Sequence, residues 1–221
     1  MPNTILWAWE RPEDLRFIDT KKIGVAFLAE TLLLQNNEVI FRPRRQKLEV
    51  SPKTYLIAVT RIETNKTPTQ KPTLSDSQRK KVVNLVKNSI ELPNVKAIQI
   101  DFDVVVSERE FYKNLVKDLR KELPKDFPLT ITSLASWCIG DTWFADFPID
   151  EAVPMAFRMG ADDKKVREFL ADGNDWNEDL CKGSYGVSID EPLKMDFNEY
   201  RRVFYFNDDA WSKSDLQKLN R

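Results

Sequence analysis

Ile98-Gln99-Ile100-Asp101-Phe102-Asp103 closes an apolar stretch and runs almost at once into a helix signal at Ser107. Strand alternation puts Gln99, Asp101 and Asp103 on one face and Ile98, Ile100 and Phe102 on the other. A strand made only for packing would not carry three polar side chains in register, because each one costs desolvation. Polar groups at the carboxyl end of a strand are where an α/β fold places its chemistry. The run therefore predicts a sheet strand and a site together.

Further strand-like runs lie at 4–9, 23–34, 54–62, 128–135, 152–158, 185–190 and 202–206, which with 95–102 makes eight. Helix signals separate several of them. Ser75-Asp-Ser-Gln78 reads as a capping box ahead of Val82, Val83, Leu85, Val86 and Ile90. Ser107-Glu-Arg-Glu110 reads as another, ahead of Phe111, Leu115, Val116, Leu119 and Leu123. A third helix is expected over 162–171 and a last one after Ser212. Alternating strands and helices predict a parallel α/β sheet, and eight strands predict a compact (β/α)8 TIM-type barrel as one domain, 1–221. The chain is short for that architecture, so loops must be short and some helices absent. Between 35 and 53, Asn36-Asn37 signals a turn and Val39-Ile40-Phe41 resumes β character, which predicts a hairpin in place of a helix.

Composition narrows the chemistry. The 221 residues contain no histidine, which excludes Ser-His-Asp and Cys-His catalysis and every His-based metal site. Any general acid or base must come from Asp, Glu, Lys, Tyr or Cys, so carboxylate chemistry is the default, with no cofactor and no metal required. Lys and Arg number 34 against 35 Asp and Glu, a balance that points to no nucleic-acid partner. No apolar run is long enough to span a bilayer. The first residues lack a signal peptide, so the chain is expected in the cytoplasm, or in the cell envelope or exported if a leader has been removed. Cys138 and Cys181 either pair in an oxidising compartment or stay as free thiols. Oligomeric state is left open.

On a barrel, the carboxyl-end rim collects Trp7, Trp9, Glu30, Arg61, Glu63, Asp101, Asp103, Trp137, Met155, Phe157, Arg158, Asp190 and Tyr205. Carboxylates beside flat aromatic faces suit a sugar, whose ring has an apolar side and a polar edge. Asp101, Asp103, Glu30, Glu63 and Asp190 are the catalytic candidates. Trp7, Trp9, Gln99, Trp137, Met155, Phe157, Arg158 and Tyr205 are the binding candidates. The basic run Arg42-Pro-Arg-Arg45 with Lys47 is expected to be a solvated hairpin tip.

Two resemblances extend this reading. Leu6-Trp-Ala-Trp-Glu-Arg-Pro12, Ala97-Ile-Gln-Ile-Asp-Phe-Asp103, Ser133-Leu-Ala-Ser-Trp-Cys138 and Pro148-Ile-Asp-Glu-Ala-Val-Pro-Met155 resemble the uncharacterised bacterial family called domain of unknown function 3142. That resemblance implies a glycosidase-like barrel and supplies no activity. Lys96-Ala-Ile-Gln-Ile-Asp-Phe-Asp103 is also similar to the fourth-strand signature of family 18 chitinase-like glycosidases, Asp-x-x-Asp-x-Asp-x-Glu. It implies Asp103 as general acid, Asp101 as the carboxylate that orients the substrate, and Gln99 as its support. Val153-Pro-Met-Ala-Phe157 resembles that family's Met-x-Tyr, with Phe157 at the tyrosine position. Lys96 and Gln99 stand where the pattern has aspartates, Asp103 is one methylene shorter than Glu, and Phe157 has no hydroxyl to donate. Three readings follow: a glycoside hydrolase using two carboxylates, a non-catalytic glycan- or protein-binding barrel, and a metal-dependent nucleotide-sugar transferase built on Asp101-Phe-Asp103.

Overall fold

The protein, described over residues 1–219 in a computed structural model, is built on eleven strands and four α-helices. The strands are β1 (Thr4–Ala8), β2 (Glu13–Asp14), β3 (Ile23–Gln35), β4 (Glu38–Pro43), β5 (Leu48–Glu49), β6 (Leu56–Thr64), β7 (Val95–Asp101), β8 (Leu129–Leu134), β9 (Glu151–Met155), β10 (Ser184–Ser188) and β11 (Arg202–Phe206). The helices are α1 (Asp76–Asn88), α2 (Arg109–Glu122), α3 (Ala135–Ile139) and α4 (Asp163–Ala171). Eight strands pair in parallel in the order β1, β3, β6, β7, β8, β9, β10, β11, and β11 returns to β1 to close the barrel. The expected (β/α)8 architecture is therefore present.

The departures from eight full repeats are those a short chain forces. No α-helix links β1 to β3 or β10 to β11. Between β3 and β6 the chain forms the β3–β4 hairpin, turning at Asn36, whose φ of +46° suits an asparagine. Gln78 locks α1 onto this hairpin: its amide nitrogen donates to Glu38 O at 2.7 Å. Ser75 caps the same helix by accepting from Gln78 N at 3.3 Å.

The cap on α2 lies elsewhere than at Ser107. A 3₁₀ turn over Val106–Glu108 precedes the helix, and the buried Glu108 carboxylate accepts from Val105 N at 3.0 Å. Glu108 also holds Thr64 Oγ1 and Lys66 Nζ, each at 2.8 Å, so this cap ties the helix entry to the end of β6.

Alternation splits the apolar residues into two cores. Ile5, Trp7, Ala26, Leu28, Ile57, Val59, Ala97, Val153, Phe204 and Phe206 fill the barrel interior. The opposite faces of the same strands meet the helices in a larger outer core. The inner packing is close at Gly186 on β10, where a Cβ would stand 2.9 Å from Pro154 O. Cys138 in α3 and Cys181 are joined by a disulfide, which pins α3 to the turn before β10.

Candidate functional site

β7 delivers its polar face to the carboxyl end of the barrel as the alternation requires. Gln99 is fully enclosed, Asp101 is 5% exposed, and Asp103 stands at the open mouth. Asp101 is held from two sides. Thr132, inward-facing on neighbouring β8, donates its hydroxyl to Asp101 Oδ1 at 2.8 Å. Arg61, inward-facing on β6, approaches Oδ2 at 3.5 Å and also pairs with Glu63 at 3.0 Å. Asp103 has neither a hydrogen bond nor an ion pair among the described residues.

Both carboxyls are pushed up. Burial raises Asp101 to about 6, and the charge of Asp103 adds to this, while Arg61 and Thr132 oppose it. Asp103 is raised by loss of hydration between the walls of the cleft, with Arg61 acting against the shift. The pair thus retains a proton into weakly acidic solution, where an ordinary surface carboxylate has lost it.

The cleft above this pair has a volume of about 260 Å³. Its aromatic wall is Trp9 and Phe157, both packed on Phe206, with ring centroids 6.2 and 4.5 Å from it. Met155, Leu134, Ser136, Arg158 and Asp162 also line it. A second hollow of about 290 Å³ adjoins it across Arg61, Asp101 and Asp103 and extends toward Glu63 and Lys66.

Of the expected site residues, Asp101, Asp103, Trp9, Met155, Phe157 and Arg158 line the main cleft, and Glu63 lines the adjoining hollow. Gln99 lies beneath the pair, and neither polar atom of its amide meets a hydrogen-bond partner among the described residues. Arg158 adopts φ +49° and pairs with Asp208 at 2.6 Å and Glu191 at 4.0 Å, so carboxylates already neutralise its charge.

Five expectations are corrected. Glu30 faces away from the cleft, because a register shift between Leu28 and Glu30 turns it toward the outer layer. There it accepts from Thr60 Oγ1 at 2.9 Å, and burial raises its carboxyl to about 7. Asp190 is a turn residue that accepts from Asp208 N at 3.0 Å. Trp7 is fully buried, stacked on Phe206 at 4.6 Å as a floor under Trp9. Trp137 is buried in a cluster with Trp143 and Phe144, at 5.2 and 6.2 Å. Tyr205 lies on the outward parity of β11, between the inward Phe204 and Phe206, and packs in the outer core.

Some contributors went unrecognised in the sequence. Thr132 carried the same signal as β7, since Thr130 and Thr132 alternate with apolar residues in Leu-Thr-Ile-Thr. Asp162 looked like a helix-start residue, and its place on the cleft depends on how the β9–α4 loop folds. Arg44, expected to be solvated, braces the aromatic wall: its guanidinium donates to the carbonyls of Trp9 and Arg11, each at 2.6 Å.

Fold and cleft together define a (β/α)8 barrel with paired carboxyl groups at the carboxyl ends of its strands. Among solved structures, the chain is similar to the catalytic domain of a family GH18 chitinase from the fern Peteris ryukyuensis. That match has a TM-score of 0.58 and 11% identity, and covers 97% of this chain and 96% of that one. A family GH18 chitinase from Chromobacterium violaceum matches with a TM-score of 0.55 and 10% identity, covering 93% of this chain and 78% of that one. The chitinase domain of the spore coat protein CotE from Clostridium difficile matches with a TM-score of 0.45 and 14% identity, over 82% of this chain and 57% of that chain. No family model matches the chain, so the likeness to domain of unknown function 3142 rests on the quoted motifs alone. No curated protein matches it either.

Proposed function

We propose that the protein is a glycoside hydrolase acting on a polysaccharide or glycoconjugate by carboxylate acid–base chemistry. The observation that carries this reading is Asp103, with no hydrogen bond or ion pair among the described residues, lining an aromatic-walled cleft together with the buried Asp101. Asp103 has the freedom to reach a glycosidic oxygen and protonate it as the bond breaks. Asp101, held by Thr132 and Arg61, supplies negative charge beneath the anomeric carbon as that carbon becomes cationic. Trp9 and Phe157 offer flat faces for the apolar side of a sugar ring. Asp162, on the main cleft, and Glu63, on the adjoining hollow, are the candidates to activate water. The Cys138–Cys181 disulfide supports placement in an oxidising compartment.

The test is hydrolysis of a glycan panel by the native protein and by Asp103→Asn. The expected loss in the variant is about 10²–10⁴-fold with the fold retained. A second reading, a glycan-binding barrel without turnover, is favoured by Gln99, whose amide gives Asp101 no hydrogen bond, and by Phe157, which lacks a hydroxyl. Equal binding by both proteins with turnover by neither would establish that reading. For the transferase alternative, the described residues bring together no group of three or more Asp, Glu or Cys side chains suited to a metal. Absence of binding heat with manganese and a nucleotide sugar would end it.

A further inference from the structure

We infer that the glycan taken by this cleft carries free amines, a de-N-acetylated hexosamine chain rather than an N-acetylated or uronate-bearing one. The inference rests on the glycan-binding reading of the site and names its substrate class.

The argument is the charge left over once every pair is counted. The cleft and its adjoining hollow carry two arginines that face the sugar-sized space, and carboxylates already engage both. Arg158 is held by Asp208 and Glu191, and Arg61 is shared between Glu63 and Asp101. Lys66, at the far edge of the hollow, is taken by Glu108 at 2.8 Å. Against these, Asp103 and Asp162 both line the main cleft, and their carboxylates have neither hydrogen bond nor ion pair among the described residues. The space is therefore acidic, with two uncommitted carboxylates and no uncommitted cation among its lining residues. An anionic sugar would meet repulsion at Asp103 and Asp162, and a neutral one would leave both carboxylates without an ion pair. A protonated sugar amine satisfies them directly.

The walls point the same way, independently of the carboxylates. Trp9 and Phe157 form a continuous aromatic surface over Phe206 beside Asp103. Aromatic faces attract cations as well as the apolar side of a pyranose, and the attraction strengthens where water is thinned. The loss of hydration that raises Asp103 marks this as such a place.

The test is calorimetry on the full chain with two tetramers of equal length, tetra-glucosamine and tetra-N-acetylglucosamine, at near-neutral pH, above the range in which burial keeps the carboxyl pair protonated, and at low salt. The cells are then analysed by mass spectrometry for cleavage. Tetra-glucosamine is expected to bind at least about 10-fold more tightly, an advantage of about 1.4 kcal/mol. That advantage should shrink with added salt and fall roughly 3- to 10-fold in Asp162→Asn. Equal or tighter binding of the acetylated tetramer overturns the inference, as does binding of neither at millimolar concentration. Cleavage is scored separately. Tight tetra-glucosamine binding without cleavage upholds the substrate class and sinks the hydrolase reading. Cleavage of the acetylated tetramer alone does the reverse.

Discussion

Thr132 donates its hydroxyl to Asp101 across two neighbouring barrel strands, at 2.8 Å, where both side chains are buried. The bond favours the ionised carboxylate and so restrains a pKa that burial drives upward. Thr132→Val keeps the shape and removes the donor. A bond to a charged group contributes about 1.5–3 kcal/mol, so the Asp101 titration should rise by roughly one pH unit or more from about 6. Carbon-13 NMR of labelled aspartate reads this directly. An unmoved midpoint would mean that Thr132 does not tune the pair.

Asp101 itself should cost stability at neutral pH. Its carboxyl lies at about 6 in the fold against an ordinary 3.8. Between those values the native state holds a proton that the unfolded chain has lost, so stability falls as pH rises through the window and stays lowered above it. Asp101→Asn should therefore raise unfolding free energy by about 3 kcal/mol at pH 8, with little change near pH 3.5. Urea titrations at the two pH values check the difference. A variant less stable than the native protein at the higher pH would contradict it.

Glu30 shows where sequence legibility stops. The eight strands, the hairpin at Asn36 and the inward face of β7 all follow from periodicity and turn residues, because alternation is a local property. The shift between Leu28 and Glu30 breaks that alternation inside one long strand, and no turn residue marks it: Phe-Leu-Ala-Glu reads as uninterrupted β. One extra residue sends Glu30 from the cleft to the helix layer. Trp7, Trp137 and Tyr205 were misplaced for related reasons, since rim membership depends on depth and parity that only the closed barrel defines. Glu30→Gln provides a functional check on the corrected position. Turnover should be unchanged, while stability should rise at pH 8 and stay level at pH 4, because burial lifts this carboxyl from 4.5 to about 7. Loss of turnover in a folded variant would return Glu30 to the site.

Gly186 tests the closeness of β9 and β10. A Cβ there meets Pro154 O at 2.9 Å, Val153 Cγ1 at 3.2 Å and Met155 Cα at 3.3 Å, and two of these are backbone atoms that cannot swing aside. Gly186→Ala should destabilise by about 1–3 kcal/mol in denaturant unfolding. Because Met155 lines the cleft, the displaced strand should also weaken ligand binding. A neutral substitution would imply a looser barrel at this seam.

The Cys138–Cys181 bridge spans 43 residues of sequence, a loop that contains β9 and α4 and brings Met155, Phe157 and Asp162 to the cleft. Closing such a loop removes unfolded-state freedom equivalent to about 4 kcal/mol in the chain-entropy model. The ends of the loop are also joined without the sulfurs. Asn177 N and Glu178 N donate to Cys138 O at 2.8 and 3.1 Å, and the Asn177 amide donates to Ile139 O. Those bonds hold α3 against the following turn in the folded state but do nothing to restrict the unfolded chain. Cys138→Ser with Cys181→Ser should therefore lower unfolding free energy by about 2–4 kcal/mol while the folded protein keeps its native tryptophan fluorescence and its cleft. Guanidinium titration and ligand calorimetry on the same preparations separate the two effects. Equal stability with and without the bridge would remove its structural role, and lost binding at unchanged fluorescence would show that the bridge shapes the cleft itself.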